Sequence, residues 1–292
     1  MPTPCRVRPR RAGVAALALA ALSASAACGG GEGAAAPPPK VSSSPSSWDR
    51  SPDSVAAVGD SITTGFDSCQ VLSDCPSVSW STGDSPEVRS LAARLLGDGA
   101  SARARSWNFA ETGARMSDLE GQMRLAAARR PELVTVLAGA NDACRGSVKG
   151  MTPVETFREQ FGAALRTLRR ESPKTQVYVA SIPDLKRLWE VGRGTSMAQE
   201  IWKLGICPTM LGEAEAMDRK AVERRKKVRE RVEEYNEALA EVCARDRRCR
   251  TDGGAVYAYR FGARQLSRWD LFHPGVDGQA RLADIAYRTV TA

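Results

Sequence analysis

Five short apolar or β-rich runs alternate along this chain with segments of helical periodicity. Strands that alternate with helices form a parallel sheet covered on both faces, with right-handed crossovers between the strands. The sequence therefore predicts a three-layer α/β/α sandwich around a central, mainly five-stranded parallel sheet. The predicted strands are 55–59, 104–110, 133–139, 176–182 and 255–259, and the predicted helices are 86–96, 117–129, 153–170, 213–245 and 277–290.

The segment from 212 to 248 is dense in charge and has four consecutive basic residues, 224–227, at its centre. Acidic residues are interspersed among the basic ones. Apolar residues recur there at near-helical spacing, namely Val222, Val228, Val232, Tyr235 and Leu239. We expect a solvated helix that packs this apolar stripe on the sheet, and a basic face for anionic lipid is the alternative.

The N-terminus has the pattern of an export signal. Four arginines within the first eleven residues precede an uncharged, alanine-rich run from 12 to 27, which is too short to favour a permanent transmembrane helix. Small residues before Cys28 are typical of a bacterial lipoprotein attachment site. Ser25 departs from that pattern, so plain secretion is the alternative. We predict a signal peptide over 1–27 and an exported protein, either extracellular or anchored through Cys28 to the outer face of the cell membrane.

Residues 28–53 are rich in glycine, alanine, proline and serine, a composition that cannot bury enough apolar surface to offset the entropy of ordering. We predict a disordered tether there and one α/β domain over 54–292. The formal net charge of the whole chain is +8, and half of it lies in the arginines of the signal. The remaining charge is modest and no nucleic-acid-binding motif accompanies it, so we expect no nucleic-acid partner.

Six cysteines remain outside the signal and Cys28, and an even count in an exported chain suggests three disulfides. A zinc site is the competing interpretation, but the chain has a single histidine and no closely spaced cysteine pair of the zinc-binding type, so we expect no metal. Many pairings are open to six cysteines. The two short loops favour Cys69 with Cys75 and Cys243 with Cys249, which leaves Cys144 with Cys207.

A serine follows the first predicted strand in the sequence Gly59-Asp60-Ser61. Open parallel sheets bind ligands at the carboxyl ends of their strands, so this serine is placed where function is expected. Gly-Asp-Ser also makes an ordinary strand-ending turn. A role for Ser61 therefore depends on what the rest of the chain brings to the same edge.

The only histidine of the chain is His273, three residues after Asp270. At this spacing a carboxylate can accept a hydrogen bond from the imidazole and fix its tautomer. A serine hydroxyl becomes nucleophilic when such a base takes its proton. The alternative is a capping or packing histidine before the last helix.

Two further predicted strand ends carry hydrogen-bond donors. Gly113 closes the segment after the second strand, and Asn141 lies in Gly-Ala-Asn-Asp after the third. Acyl transfer needs donors aimed at the oxygen that becomes negative in the tetrahedral intermediate. Separately these residues fit a turn and a strand-end cap. Together with Ser61 and His273 they predict an active site.

These four groups resemble, in order and across nearly the whole domain, the four blocks of the SGNH (GDSL) hydrolase family. Ile62 stands where the family name has leucine. The general Gly-x-Ser-x-Gly elbow of α/β-hydrolases is absent, because Thr63 replaces its second glycine. The resemblance implies a flavodoxin-like fold with Ser61 as nucleophile, His273 as base and then acid, and Asp270 as its orienting partner. It further implies an oxyanion hole formed by the N–H groups of Ser61 and Gly113 and the side chain of Asn141.

Within the family, residues 79–83, the segment ending at Cys144, and Cys207-Pro208 are similar to the phospholipase B-like branch and to bacterial secreted lipases and esterases. In that branch the corresponding cysteines would be bridged. This similarity implies a small-molecule or lipid ester as substrate.

The sequence thus predicts a secreted or lipid-anchored serine esterase or lipase that works through an acyl-enzyme, without metal or organic cofactor. A carbohydrate O-acetylesterase on the same site is one alternative, because the resemblance fixes the reaction centre better than the acyl or leaving group. A non-catalytic, surface-tethered binding module is the alternative from another class. It would predict a broken site, whereas every expected group is present.

Overall fold

The computed structural model describes residues 48–292, so the predicted signal peptide, Cys28 and the tether up to residue 47 lie outside the described residues. Within 48–292 five strands form one sheet: β1 Val55–Gly59, β2 Ser106–Asn108, β3 Leu133–Leu137, β4 Gln176–Val179 and β5 Cys249–Thr251. The α-helices of this part are α1 Ser61–Thr64, α2 Leu91–Leu96, α3 Gly99–Arg105, α4 Leu119–Ala128, α5 Ala140–Ala143, α6 Val154–Glu171, α7 Leu185–Gly192, α8 Ser196–Trp202, α9 Pro208–Leu211, α10 Arg219–Ala244, α11 Ala255–Ala258 and α12 Val276–Thr291.

All neighbouring strands pair in parallel, in the order β2-β1-β3-β4-β5. Right-handed crossovers in this order place α2 and α3 on one face and α4, α6 and α10 on the other, and α12 packs against α2. The predicted five-stranded parallel sheet and flavodoxin-like layering are confirmed. The strand order reverses direction at β1, so the switch point that binds ligands in such sheets lies at the carboxyl ends of β1 and β3.

The prediction of a fifth strand at 255–259 is wrong. These residues contain α11, and the edge strand is β5, which precedes them and pairs with β4. The carboxylate of Asp252 accepts from the N–H groups of Gly254 and Val256, so the chain turns into a helix there. An Ala-Val-Tyr-Ala-Tyr run has the composition of a strand, whereas β5 is short and only half-buried, which hid it from pattern-based prediction.

The predicted strand at 104–110 is also too long. The structure begins the strand at Ser106, because residues 99–105 form α3. The side chain of Asp98 accepts from the N–H of Ser101 and so caps this helix. A capping aspartate followed by small residues is the signal that favours the helix here.

The long charged segment is a helix, α10, and four of the five residues of the predicted stripe are buried, namely Val228, Val232, Tyr235 and Leu239. Val222 is exposed, and the buried face includes Arg225, from the basic run. The Arg225 guanidinium lies 4.1 Å over the ring of Trp189 and donates to the carbonyls of Glu213 and Ala216, at 2.6 and 2.7 Å. Its charge is thus solvated by backbone oxygens instead of water, and burial lowers the pKa of Arg225 to about 10.

Residues 48–53, which composition assigns to the tether, lie against the domain. The indole N–H of Trp48 donates to the carbonyl of Val290 at 2.8 Å, and the Arg250 guanidinium lies 4.4 Å over the indole ring. The side chain of Gln176 bonds both the N–H and the carbonyl of Asp49. The start of the described chain is therefore fastened to β4 and α12.

The structure joins six cysteines in the pairs Cys69–Cys75, Cys144–Cys207 and Cys243–Cys249. Three disulfides are compatible with an exported protein, because thiols stay reduced in most intracellular compartments. Among residues 48–292, none of the helices has both the length and the apolar character needed to cross a membrane.

The end of β1 approaches β3 so closely that only glycine fits. A Cβ atom on Gly59 would lie 2.2 Å from the carbonyl oxygen of Leu137, and the φ angle of Gly59 is +148°. The side chain of Gln122 accepts from the Gly59 N–H at 2.7 Å and donates to its carbonyl at 3.0 Å. This contact fixes the strand end from which the next residues leave the sheet.

We expect Gly59→Ala to lower the free energy of unfolding by at least ~2 kcal/mol, because the added methyl forces the two strands apart. Gly121→Ala is the matched control: its Cβ atom meets nothing within 4 Å, and it lies inside α4, so it should raise the free energy of unfolding by about 0.5–1 kcal/mol. Urea denaturation of both variants measures the difference. Two effects of the same sign and size would contradict the close approach.

Candidate active site

Ser61 begins the short helix α1 immediately after β1. Asp60 caps this helix by accepting from the N–H of Ile62 at 3.0 Å, and Gly65, with a φ angle of +73°, ends it. Because Ser61 is the first residue of the helix, its backbone N–H has no acceptor within the helix. The strand, the cap and the helix start together deliver one hydroxyl and one N–H to the switch point.

Three side chains donate hydrogen bonds to backbone carbonyls of α1. The carbonyl of Thr63 accepts from Ser79 Oγ at 2.7 Å and from Asn108 Nδ2 at 3.0 Å. The carbonyl of Ile62 accepts from Gln279 Nε2 at 2.8 Å. These bonds satisfy carbonyls that a four-residue helix leaves free, so the position of the serine is fixed by several elements of the fold.

His273 and Asp270 occupy a tight turn before α12. His273 Nε2 lies 3.1 Å from Ser61 Oγ, and His273 Nδ1 lies 2.5 Å from Asp270 Oδ2. The other carboxylate oxygen, Oδ1, accepts from the backbone N–H groups of Phe272 and His273, at 2.9 and 3.0 Å. A carboxylate bonded in this way holds the imidazole with Nδ1 protonated and Nε2 free to accept from the serine.

The electrostatic surroundings favour a basic imidazole. Burial alone would lower the pKa of His273, but Asp270, followed by Asp67 and Asp60, raises the pKa above its ordinary value. Burial also raises the pKa of Asp60 to about 7, against the bond from Ile62 and the attraction of His273. The imidazole therefore lies among carboxyl groups that stabilise its protonated form.

Gly113 and Asn141 line the same cavity as Ser61 and His273. Asn141 Nδ2 donates to the carbonyl of Ala114 at 2.9 Å, which leaves its second amide hydrogen unused by this bond. Gly113 has a φ angle of +86°, in the left-handed region that favours glycine. The structure thus brings Ser61, Gly113, Asn141 and His273 to one cavity, with Asp270 directly behind the histidine.

The cavity is small and mostly apolar, with a volume of about 190 Å³. Beyond the four residues just named, its wall includes Leu185, Leu188, Ile206, Phe272 and the Cys144–Cys207 disulfide. A larger groove of about 610 Å³ lies at the amino ends of β3 and β4, among charged residues such as Glu132 and Lys174. None of the predicted site residues lines that groove.

The sequence also matches the model of a known protein family. The family model of GDSL-like lipases and acylhydrolases matches residues 55–286. The chain belongs to this family. No curated protein matches the sequence. The family expected from the sequence motifs is therefore confirmed, and membership supports an ester hydrolase.

Three solved structures are similar to this GDSL hydrolase at low sequence identity. A protein from Parabacteroides merdae described as a GDSL-like lipase is 18% identical with a TM-score of 0.53, over 84% of this chain and 98% of that one. A phospholipase A1 from Streptomyces albidoflavus is 17% identical with a TM-score of 0.48, over 82% of this chain and 100% of that one. An extracellular lipase from Streptomyces rimosus is 17% identical with a TM-score of 0.47 over the same shares.

In the described part of the GDSL hydrolase, Asp67, Asp270 and His273 have the spacing of metal ligands, with one ligand atom of each within 4.8 Å of the others. A metal ion bound there would compete with the bond between Asp270 and the imidazole. The group therefore fits the orientation of His273 better than it fits a metal centre.

Sequence reasoning missed the residues that support the predicted site. Gln122 and Gln279 are buried and bond the backbone on either side of Ser61. Phe66 packs its ring against the imidazole, with centroids 5.0 Å apart, and Asp67 is fully buried beside it. The only sequence signal for the last two was their place between the serine and the short Cys69–Cys75 loop.

Proposed function

We propose that this GDSL hydrolase is a serine esterase that cleaves short-chain carboxylic esters through an acyl-enzyme. The hydrogen-bonded series from Asp270 through His273 to Ser61, with distances of 2.5 and 3.1 Å, carries the proposal. Membership of an acylhydrolase family supports the same reaction class.

In the proposed mechanism His273 Nε2 takes the proton of Ser61 as Oγ attacks the ester carbonyl carbon. The carbonyl oxygen becomes negative and accepts from the N–H groups of Ser61 and Gly113 and from the amide of Asn141. His273 then gives its proton to the alcohol, which leaves. Water, deprotonated by the same imidazole, hydrolyses the acyl-enzyme, while Asp270 stays ionised and stabilises the imidazolium.

The size of the cavity supports a short acyl group. The cavity volume is about 190 Å³, which limits how much of an acyl chain it can enclose. Leu185, Leu188 and Ile206 give the wall an apolar surface, and each methylene buried against it makes binding more favourable. A short alkyl chain fits within such a space, whereas the end of a long chain would extend beyond it.

The same observation favours O-deacetylation of carbohydrates as the second candidate function. An acetyl group fits the cavity, and a sugar alcohol as leaving group would lie outside it. The two candidates share Ser61, His273 and Asp270 and differ only in the alcohol. An acetylated sugar and a simple alkyl acetate, compared as substrates, distinguish them.

Hydrolysis of p-nitrophenyl esters from acetyl to dodecanoyl tests the proposal. We expect kcat/KM to rise about fourfold per added methylene, from about 0.8 kcal/mol of transfer free energy, up to about six acyl carbons, and to fall for dodecanoyl. Ser61→Ala and His273→Gln should each lower kcat at least about a thousandfold. Ser117→Ala, an exposed serine outside the cavity, should change kcat/KM less than about twofold.

Circular dichroism of each variant confirms that it remains folded. Wild-type rates in Ser61→Ala or His273→Gln would contradict the mechanism. A preference for dodecanoyl esters with an inactive Ser61→Ala would retain the mechanism and contradict the short-chain pocket.

We further propose that the protein is exported through a signal peptide over 1–27, with the hydrolase domain over 54–292 joined by the tether to Cys28, which carries a lipid. We expect the mature chain to start at Cys28 with a mass increased by a diacylglycerol group and to partition into detergent. Cys28→Ser should release it into the aqueous phase. A retained Met1 would contradict export, and an unlipidated mature chain would contradict anchoring.

A further inference from the structure

A second buried carboxyl group, Asp67, lies behind the imidazole and has no role in the mechanism above. One of its carboxylate oxygens, one of Asp270 and a ring nitrogen of His273 all lie within 4.8 Å of one another. Asp67 is fully buried. Its Oδ1 accepts from the N–H of Leu72, and its Oδ2 has no hydrogen-bond partner among residues 48–292.

The backbone holds Asp67 in this place. Its φ angle is +57°, an uncommon value for a residue with a side chain, and its N–H donates to the carbonyl of Ser73 at 3.0 Å. The Cys69–Cys75 disulfide closes the loop that contains Ser73, the acceptor of this bond. The loop therefore fixes Asp67 against the turn that contains Asp270 and His273.

The unpartnered oxygen of Asp67 lies beside a carboxylate that can still accept one hydrogen bond. A carboxylate accepts about four hydrogen bonds, and Asp270 receives three, from His273 Nδ1 and from two backbone N–H groups. Two adjacent carboxylates do not both ionise without cost. A proton on Asp67 Oδ2 would donate to the remaining site on Asp270 and satisfy both groups.

The ionisation of Asp67 agrees with this arrangement. Burial, followed by the charge of Asp270, raises the pKa of Asp67 to about 6, and a proton on Asp67 that donates to Asp270 would act in the same direction. The N–H of Leu72 and the attraction of His273 oppose the shift. Asp67 therefore changes charge in the pH range in which an imidazole titrates.

We propose that Asp67 is a positioning residue that shares a proton with Asp270 and thereby sets how many negative charges face His273. With Asp67 protonated, the Asp67–Asp270 pair carries one charge, and its O–H group braces Asp270. With Asp67 ionised, the pair carries two charges, and the imidazole becomes the stronger base. Within residues 48–292, the remaining titratable group named beside the imidazole is Asp60, which in turn faces Asp142.

The inference rests on the proposed function only in treating His273 as the base, and it can be tested without substrate. Because the chain has a single histidine, nitrogen-15 labelling of histidine makes the imidazole resonances report His273 alone. The wild type should titrate in two linked steps. In Asp67→Asn the step linked to Asp67 should disappear and the midpoint should fall by about one pH unit, because a nearby negative charge is removed, whereas any step linked to Asp60 should remain.

Asparagine suits the test because it tolerates a positive φ angle and its amide can still donate to Asp270. The matched control is Asp74→Asn in the same loop. Its carboxylate accepts from Thr64 at 2.6 Å and from Thr112 at 2.5 Å, so the His273 midpoint should stay at the wild-type value. The acid limb of kcat/KM should move to lower pH in Asp67→Asn alone.

An unchanged midpoint in Asp67→Asn, or an equal shift in Asp74→Asn, would overturn the inference. If Asp67→Asn does not fold, the wild-type titration decides, since a single-step curve contradicts the shared proton. These outcomes differ from failure of the proposed function, which would show as an active Ser61→Ala with His273 still titrating in two steps.

Discussion

The carboxylate of Asp270, which no solvent reaches, holds the only imidazole of the chain at 2.5 Å. A buried charge is costly unless it is paired and hydrogen-bonded. Two backbone N–H groups of the turn supply the remaining bonds, and the turn requires a positive φ angle of +46° at Leu271. The indole N–H of Trp202 donates to the carbonyl of Asp270 at 2.6 Å and so fastens the turn to α8. The position of the imidazole therefore depends on packing well outside the site.

The parallel sheet explains why residues so far apart in sequence meet. The segments that follow β1, β2 and β3 supply Ser61, Gly113 and Asn141, because the carboxyl ends of neighbouring parallel strands share one edge. The last turn before α12 supplies His273. Two disulfides flank this cluster, one in the loop beside the imidazole and one in the cavity wall. The rigid edge positions the donors, and the cross-linked loops shape the space above them.

The elements that sequence predicted well are those whose local pattern agrees with their place in the fold. The first four strands and the helices α4, α6 and α12 lie within three residues of their predicted bounds, and α10 begins six residues later than predicted. The fifth strand failed because Asp252 caps a helix in residues that have the composition of a strand. The burial of Arg225 was not predicted, because its partners are backbone carbonyls that only the tertiary structure brings near.

The same distinction applies to the site. Ser61, Gly113, Asn141 and the Asp270–His273 pair carry short motifs, so the sequence could single them out as candidates. Asp67 and Gln122 carry none, because what matters about them is the buried atom they contact, and a sequence pattern does not encode that contact. Asp67 in particular is distinguished only by its structure, in which one carboxylate oxygen lacks a hydrogen-bond partner among residues 48–292 and the carboxylate lies beside that of Asp270.

Covalent labelling with a fluorophosphonate tests most directly whether Ser61 is a nucleophile activated by His273. The reagent transfers its phosphonyl group to an activated serine oxygen and releases fluoride, so intact-mass and peptide analysis locate the nucleophile. The account predicts one adduct per chain, on the peptide that contains Ser61, formed more slowly as acid protonates His273. An adduct on a different serine, or no adduct on a protein that hydrolyses esters, would contradict it.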